Sequence, residues 1–165
     1  MSGSDRASSG LTSLDEILGG GFVLGRLHLV EGRPGTGKTT LGIQFVLAGR
    51  DQNEKVLYVS MSETRDELQA VASAHGWSLE GVEICELMPP DAEDGDGNRQ
   101  TMFRPSEVEL GETIRLLCDE IERIDPARIV IDSLSEMRLL AQSPLRYRRQ
   151  IFALKHFLEK RHARC

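Results

Sequence analysis

No run of apolar residues in this chain approaches the ~18 that a membrane span needs, and no signal peptide is visible at its start. A membrane protein is therefore not expected; a cytoplasmic one is. Positive charge is not in excess either. Twenty Lys and Arg against 26 Asp and Glu leave a formal charge of −6. That weighs against a surface built mainly to hold nucleic acid, although a local basic patch stays compatible with it. Cysteine is scarce: Cys85, Cys118 and Cys165 are scattered, without metal spacing and without an even count to pair. Such usage suits a reducing compartment, and Cys85 and Cys118, set in apolar runs, read as core. His28, His75, His156 and His162 show no ligand spacing, and no repeat recurs at solenoid periods. What remains is ordinary globular composition, 39% hydrophobic and 28% charged over 165 residues, enough for one domain with a real core.

One stretch organises the rest. Gly32-Arg33-Pro34-Gly35-Thr36-Gly37-Lys38-Thr39 spells G-x-x-x-x-G-K-[ST], the Walker A or P-loop pattern. Leu27-His28-Leu29-Val30 before it suits a buried strand, and the run from Thr40 to Ala48 suits a helix. Strand, glycine loop and helix form the context in which this pattern is a site. Gly35 and Gly37 can take positive φ, so the backbone can fold around a phosphate chain. Successive N–H groups then form an anion nest, and the helix start adds its positive dipole end. The candidate nucleotide contacts are Gly32, Pro34, Gly35, Thr36, Gly37, Lys38, Thr39 and Thr40. Lys38 is expected to reach the β- and γ-phosphates, and the Thr39 hydroxyl to ligate Mg²⁺.

Residues 1–9 are small and polar and read as a loose tail, with a single partial domain over 10–165. Ser13-Leu14-Asp15-Glu16 spells a capping box for a short helix that Gly19-Gly20-Gly21 ends. Lys55 to Met61 is a β-branched, apolar run and reads as a core strand. Thr64 and Glu67 spell a second capping box, followed by a helix with Leu68, Val71 and Ala72 on one face and a stop at Gly76. Residues 82–87 alternate as an edge strand would. Residues 90–104 form an acidic, Gly-rich loop whose calcium-site spacing fails at Arg99, so a solvated loop is expected. Val108 to Ile124 carries Ile114, Leu117, Ile121 and Ile124 at helical spacing, and Pro126 stops it. Arg128 to Ser133 is an apolar strand. Ser143-Pro144 opens a last helix with Ile151, Leu154, Phe157 and Leu158 on its buried face. Arg146, Arg148 and Arg149 near its start make a solvated basic face or a subunit contact. Trp77, at a helix exit, reads as packing.

Two carboxylates complete the reading. Asp132 closes a strand that is apolar on both faces, as helix-covered parallel strands are. There it holds the metal shell opposite the P-loop hydroxyl, as a Walker B residue, or it caps the next turn. Glu63 ends the earlier strand. It either polarises the attacking water or is a first-turn Glu favoured by a helix dipole.

With these motifs in place, the chain resembles the KaiC-type branch of the RecA-like ATPases. The matching stretches are SGLTSLDEILGGGFVLGRLHLVEGRPGTGKTTLGIQF, VLYVSMSET, RIVIDSLSEM and RYRRQIFALKHFL, with the acidic loop outside them. The resemblance implies a three-layer α/β/α sandwich with a mostly parallel sheet. It implies ATP and Mg²⁺ at the boundaries of a hexameric ring, and slow hydrolysis tied to clock-type signalling. Ser62 stands where the family usually has the first of two adjacent acidic residues, the water-polarising one. Serine is a poor proton acceptor at neutral pH, so that role falls to Glu63 if it points inward, beside Lys38. In RecA-like folds a further strand follows the last helix and inserts between the Walker A and Walker B strands. It is not in this sequence, nor are the later strands, so the chain reads as a partial module with a mid-sheet gap. Exposed backbone there predicts marginal stability or rescue by another chain. Three functions stand: a KaiC-like ATPase, a nucleotide-binding regulatory module without turnover but with a protein partner, and a DNA-dependent ATPase, against which the net acidity weighs.

Overall fold

A computed structural model of the chain describes residues 5–87, 105–141 and 143–162. The elements run β1 (Arg6–Ala7), α1 (Thr12–Ile17), β2 (Phe22–Val23), α2 (Lys38–Arg50), β3 (Val56–Ser60), α3 (Arg65–Ala74), β4 (Glu83–Glu86), α4 (Pro105–Ile124), β5 (Arg128–Asp132), α5 (Leu134–Leu140) and α6 (Pro144–His162). The architecture is α/β, with helices packed on both faces of a parallel sheet. Its sheet has the order β4-β3-β5, all parallel, and Ser60 pairs with Asp132 at the C-terminal end of the β3–β5 ladder.

Strand β3 is the centre. All five of its residues are buried, and its side chains alternate between two helical layers. Leu57 and Val59, with Met61 beyond the strand, pack with Leu117, Ile121, Met137 and Leu154 of α4, α5 and α6. Val56 and Tyr58 pack with Ile43, Val46, Leu68 and Ala72 of α2 and α3. A strand covered on both faces has no room for a polar face, which is why its sequence is a continuous apolar run. Cys85 and Cys118 are half-buried against the first cluster, and burial pushes both thiols up.

Local signals are realised with one exception. The Thr64–Glu67 box closes in both directions: the Thr64 hydroxyl takes the Glu67 amide at 3.3 Å, and the Glu67 carboxylate takes the Thr64 amide at 2.7 Å. Gly76 leaves α3 at φ +73°. Helix α1 forms, but Ser13 does not cap it. The N-cap is Leu11, and Asp15 instead turns back to the Ser8 hydroxyl and the Ser9 amide. These bonds order the lead-in, so the loose tail expected over residues 1–9 does not hold for 5–9. Ala7 and Ser9 are buried, and β1 pairs antiparallel with β2. Helix α5 has no counterpart in the sequence reading. The acidic loop at 90–104 lies outside the described residues.

The largest correction concerns residues 27–30, expected as a buried strand. They form no strand, and Leu27, Leu29 and Val30 are 48%, 72% and 46% exposed. The reason lies in the sheet. Strand β5 is an edge strand, and an apolar hollow of about 110 Å³ separates its start, at Ala127, Arg128 and Ile129, from the segment holding Phe22, Leu24, Leu27 and His28. A strand owes its hydrogen bonds to a neighbour. Among the described residues, 27–30 has no such neighbour.

Candidate nucleotide site

The loop has the backbone its glycines permit. Gly35 and Gly37 sit at φ +79° and +86° with open space around each, so conformation and not crowding calls for glycine there. Gly32 is held for the other reason: a Cβ would come within 2.7 Å of the Thr36 hydroxyl. Thr36 folds inward, its amide and hydroxyl both donating to the Arg33 carbonyl. Gly37 is the N-cap of α2 and supplies no side-chain bond. The first amides of the helix, those of Lys38, Thr39 and Thr40, have no intrahelical acceptor by geometry, which leaves them for an anion. The Lys38 ammonium donates to the Gly32 and Arg33 carbonyls at 3.1 and 3.0 Å, on the exposed rim of the same loop. A cation held, among the described residues, by two neutral carbonyls is available to a phosphate. Pro34 is exposed on the loop.

Behind the loop lies a compact polar cluster. The Thr39 hydroxyl donates to Asp132 Oδ2 at 2.7 Å, joining the first turn of α2 to the end of β5 across 93 residues. The Tyr58 hydroxyl donates to the same oxygen at 2.8 Å. Burial, with the Asp132 charge behind it, pushes the Tyr58 phenol far up, so it stays a donor. Gly42 allows this approach. A Cβ there would sit 3.0 Å from Val130 Cγ1 and 3.2 Å from the Tyr58 ring.

Glu63 belongs to this cluster as well. It lies one residue before the Thr64 cap, so the first-turn acids of α3 are Asp66 and Glu67. Its amide is held by the Ser60 hydroxyl and its carbonyl accepts from it. Its Oε2 is buried without a partner among the described residues. Burial, then the Asp132 and Glu67 charges, push the Glu63 carboxyl above its ordinary value. The carboxylate thus faces inward, whereas Ser62 is exposed.

The donor set suits Mg²⁺ and nucleotide together. One carboxylate and one hydroxyl are too few for an all-protein cage, and the described residues contain no group of three or more metal-ligating acids, His or Cys. Mg²⁺ is ordinarily held by one or two carboxylates plus substrate phosphates, and this is such an oxygen-only set. Tyr58 and Gly42 escaped the sequence reading. A tyrosine inside a fully apolar strand needs a buried partner, and a glycine inside a helix costs about 1 kcal/mol unless something approaches closely. Those were the available signals.

Fold and site together define a P-loop nucleotide-binding protein of the RecA-like class. A family model described as ATPase: KaiC matches residues 7–164, and the chain belongs to that family. It is 34% identical over 132 residues to the circadian clock oscillator protein KaiC of Thermostichus vulcanus, covering 80% of this chain and 24% of that one. Against the protein of the same name from Synechococcus elongatus the identity is 31% over 137 residues. The UPF0273 protein MK0039 of Methanopyrus kandleri is 28% identical over 159 residues, covering 93% of this chain and 62% of its own. The chain thus spans about a quarter of the clock proteins it matches. Among the described residues no helix is long and apolar enough to cross a membrane.

Proposed function

We propose that this chain binds ATP with Mg²⁺ on the loop of residues 32–40 and hydrolyses it slowly. The observation that carries the reading is the 2.7 Å bond from Thr39 to Asp132, which joins the end of the P-loop to the carboxylate closing β5. A hydroxyl whose hydrogen is given to Asp132 keeps its lone pairs for a cation. Thr39 and Asp132 would hold Mg²⁺, which would supply positive charge against the nucleotide phosphates. Lys38 would exchange the Gly32 and Arg33 carbonyls for phosphate oxygens, and the amides of Lys38, Thr39 and Thr40 would line the anion. Glu63, inward-facing and without a hydrogen-bond partner at Oε2, would hold the attacking water and take its proton. A raised carboxyl is a better proton acceptor than an ordinary one at the same site.

Binding without turnover is the second reading, favoured by Ser62 at the family's first acidic position. Isothermal titration with ATP and Mg²⁺, followed by phosphate release with Lys38→Ala as control, separates the two. No heat at millimolar ATP ends both; heat without release above the control leaves the second. A homo-oligomer, clock-type signalling and a cytoplasmic setting belong to the same proposal, on the strength of the family. Light scattering with and without ATP tests the first of these.

A further inference from the structure

We infer that Tyr58 is the positioning residue of this site: its buried hydroxyl holds the Asp132 carboxylate in the orientation that receives Mg²⁺. The inference rests on the nucleotide reading above and concerns a side chain to which that reading gives no part.

Two donors converge on one oxygen. Thr39 and Tyr58 both give their hydrogens to Asp132 Oδ2, and among the described residues none donates to Oδ1. The carboxylate is pinned through one oxygen while the other is left open. The two donors differ in footing. Thr39 sits in the first turn of α2, directly after a loop exposed along its length. Tyr58 is 1% exposed at the middle of β3, flanked on both sides by paired strands. Its ring lies against α2 at Gly42, where a Cβ would intrude to 3.2 Å of the ring and 3.5 Å of the hydroxyl. The phenol oxygen therefore cannot follow the loop when a nucleotide rearranges it, and Asp132 keeps a fixed anchor. A buried phenol needs an acceptor in any case. Here it takes the one oxygen that also meets the P-loop hydroxyl, in a strand where phenylalanine would fill the same volume without a polar contact.

The test is a Mg²⁺ titration of the full chain saturated with a non-hydrolysable ATP analogue, followed by calorimetry. Tyr58→Phe removes a single oxygen. The expected result is a Mg²⁺ half-saturation raised about tenfold, the loss expected for a hydrogen bond to a charged group. Affinity for the analogue in chelator stays unchanged. In an Asp132→Asn background the same substitution has no further effect, because Tyr58 acts through that carboxylate. Gly42→Ala, which keeps the hydroxyl but crowds its ring, is the second variant and shifts the Mg²⁺ requirement in the same direction. A Tyr58→Phe protein that melts lower yet titrates Mg²⁺ like wild type makes Tyr58 core packing and overturns the inference while the nucleotide site stands. A wild-type chain that binds the analogue without any Mg²⁺ dependence overturns the inference and the metal part of that reading; one that does not bind the analogue at all overturns both.

Discussion

Two apolar runs of similar spelling have opposite fates in this chain. Residues 56–60 are buried to the last side chain; residues 27–30 lie open to solvent. Both contain leucine and valine, and both lead into a segment of the proposed nucleotide site. The difference is partnership. Strand β3 has β4 on one side and β5 on the other, with helices over both faces. Residues 27–30 pair with no strand among the described residues, and Leu27 and His28 line a hollow. The comparison divides the nucleotide site into a clamped half, Thr39, Tyr58, Glu63 and Asp132, and an open half, residues 32–38. On the proposed reading the clamped half would set the metal geometry, and the open half would take its shape from the nucleotide.

The division predicts that binding and folding separate cleanly in the open half. Lys38→Ala should lower ATP affinity about 100-fold, in the range found when one member of a charged pair is truncated. The melting temperature should hardly move, because the ammonium meets only two exposed carbonyls. A large fall in stability would show the loop to be part of the core. Leu57→Ala should do the reverse. It opens a cavity at a position with 0% exposure, costing about 3 kcal/mol, and denaturant melts will read it directly.

Smaller effects sharpen the clamped half. Thr64→Ala removes a capping box that is closed in both directions and should cost about 1 kcal/mol in the same melts. Glu63→Gln should have a smaller effect, with the opposite sign. The Glu63 carboxyl is lifted above its ordinary 4.5, chiefly by burial, so the folded state binds that proton more tightly than the unfolded chain. Stability therefore falls as pH rises from 4.5 through the lifted value, and Gln removes the fall. The variant should melt slightly higher than wild type at neutral pH and match it below about pH 4.5. Phosphate release should drop in the variant above the lifted value, where the wild-type carboxylate is free to take a proton. A variant that melts higher and still releases phosphate would take Glu63 out of the chemistry.

These residues also show which structure the sequence makes legible. Thr64 and Glu67 are partners within one turn, so their spelling is nearly their geometry. The P-loop is legible for the same reason, since its glycines, lysine and threonine act within eight residues. Asp132 was legible through its place at the end of an apolar strand. Contacts that cross the chain were not. Tyr58 reaches Asp132 over 74 residues, and nothing local announces it. Arg128 is similar: it is buried beside Glu54, donates to the Ser8 carbonyl and lies over the Phe45 ring. Ser13 shows a local signal overruled: the helix already starts at Thr12 with Leu11 as its N-cap, which puts Ser13 inside the first turn.

The smallest expected effect tests the comparison most directly. Leu29→Ser replaces an apolar side chain by a polar one in a run that reads as a strand interior. If 27–30 were a core strand, the change would cost several kcal/mol, as Leu57→Ala should. At 72% exposure Leu29 has little burial to lose, and the cost should stay within about 0.5 kcal/mol. Equal losses at positions 29 and 57 would mean that the solution fold closes the hollow and pairs 27–30 into the sheet. A loss confined to position 57 would mean that an apolar run is not yet a strand, and that the hydrogen bonds which make it one come from a neighbouring backbone.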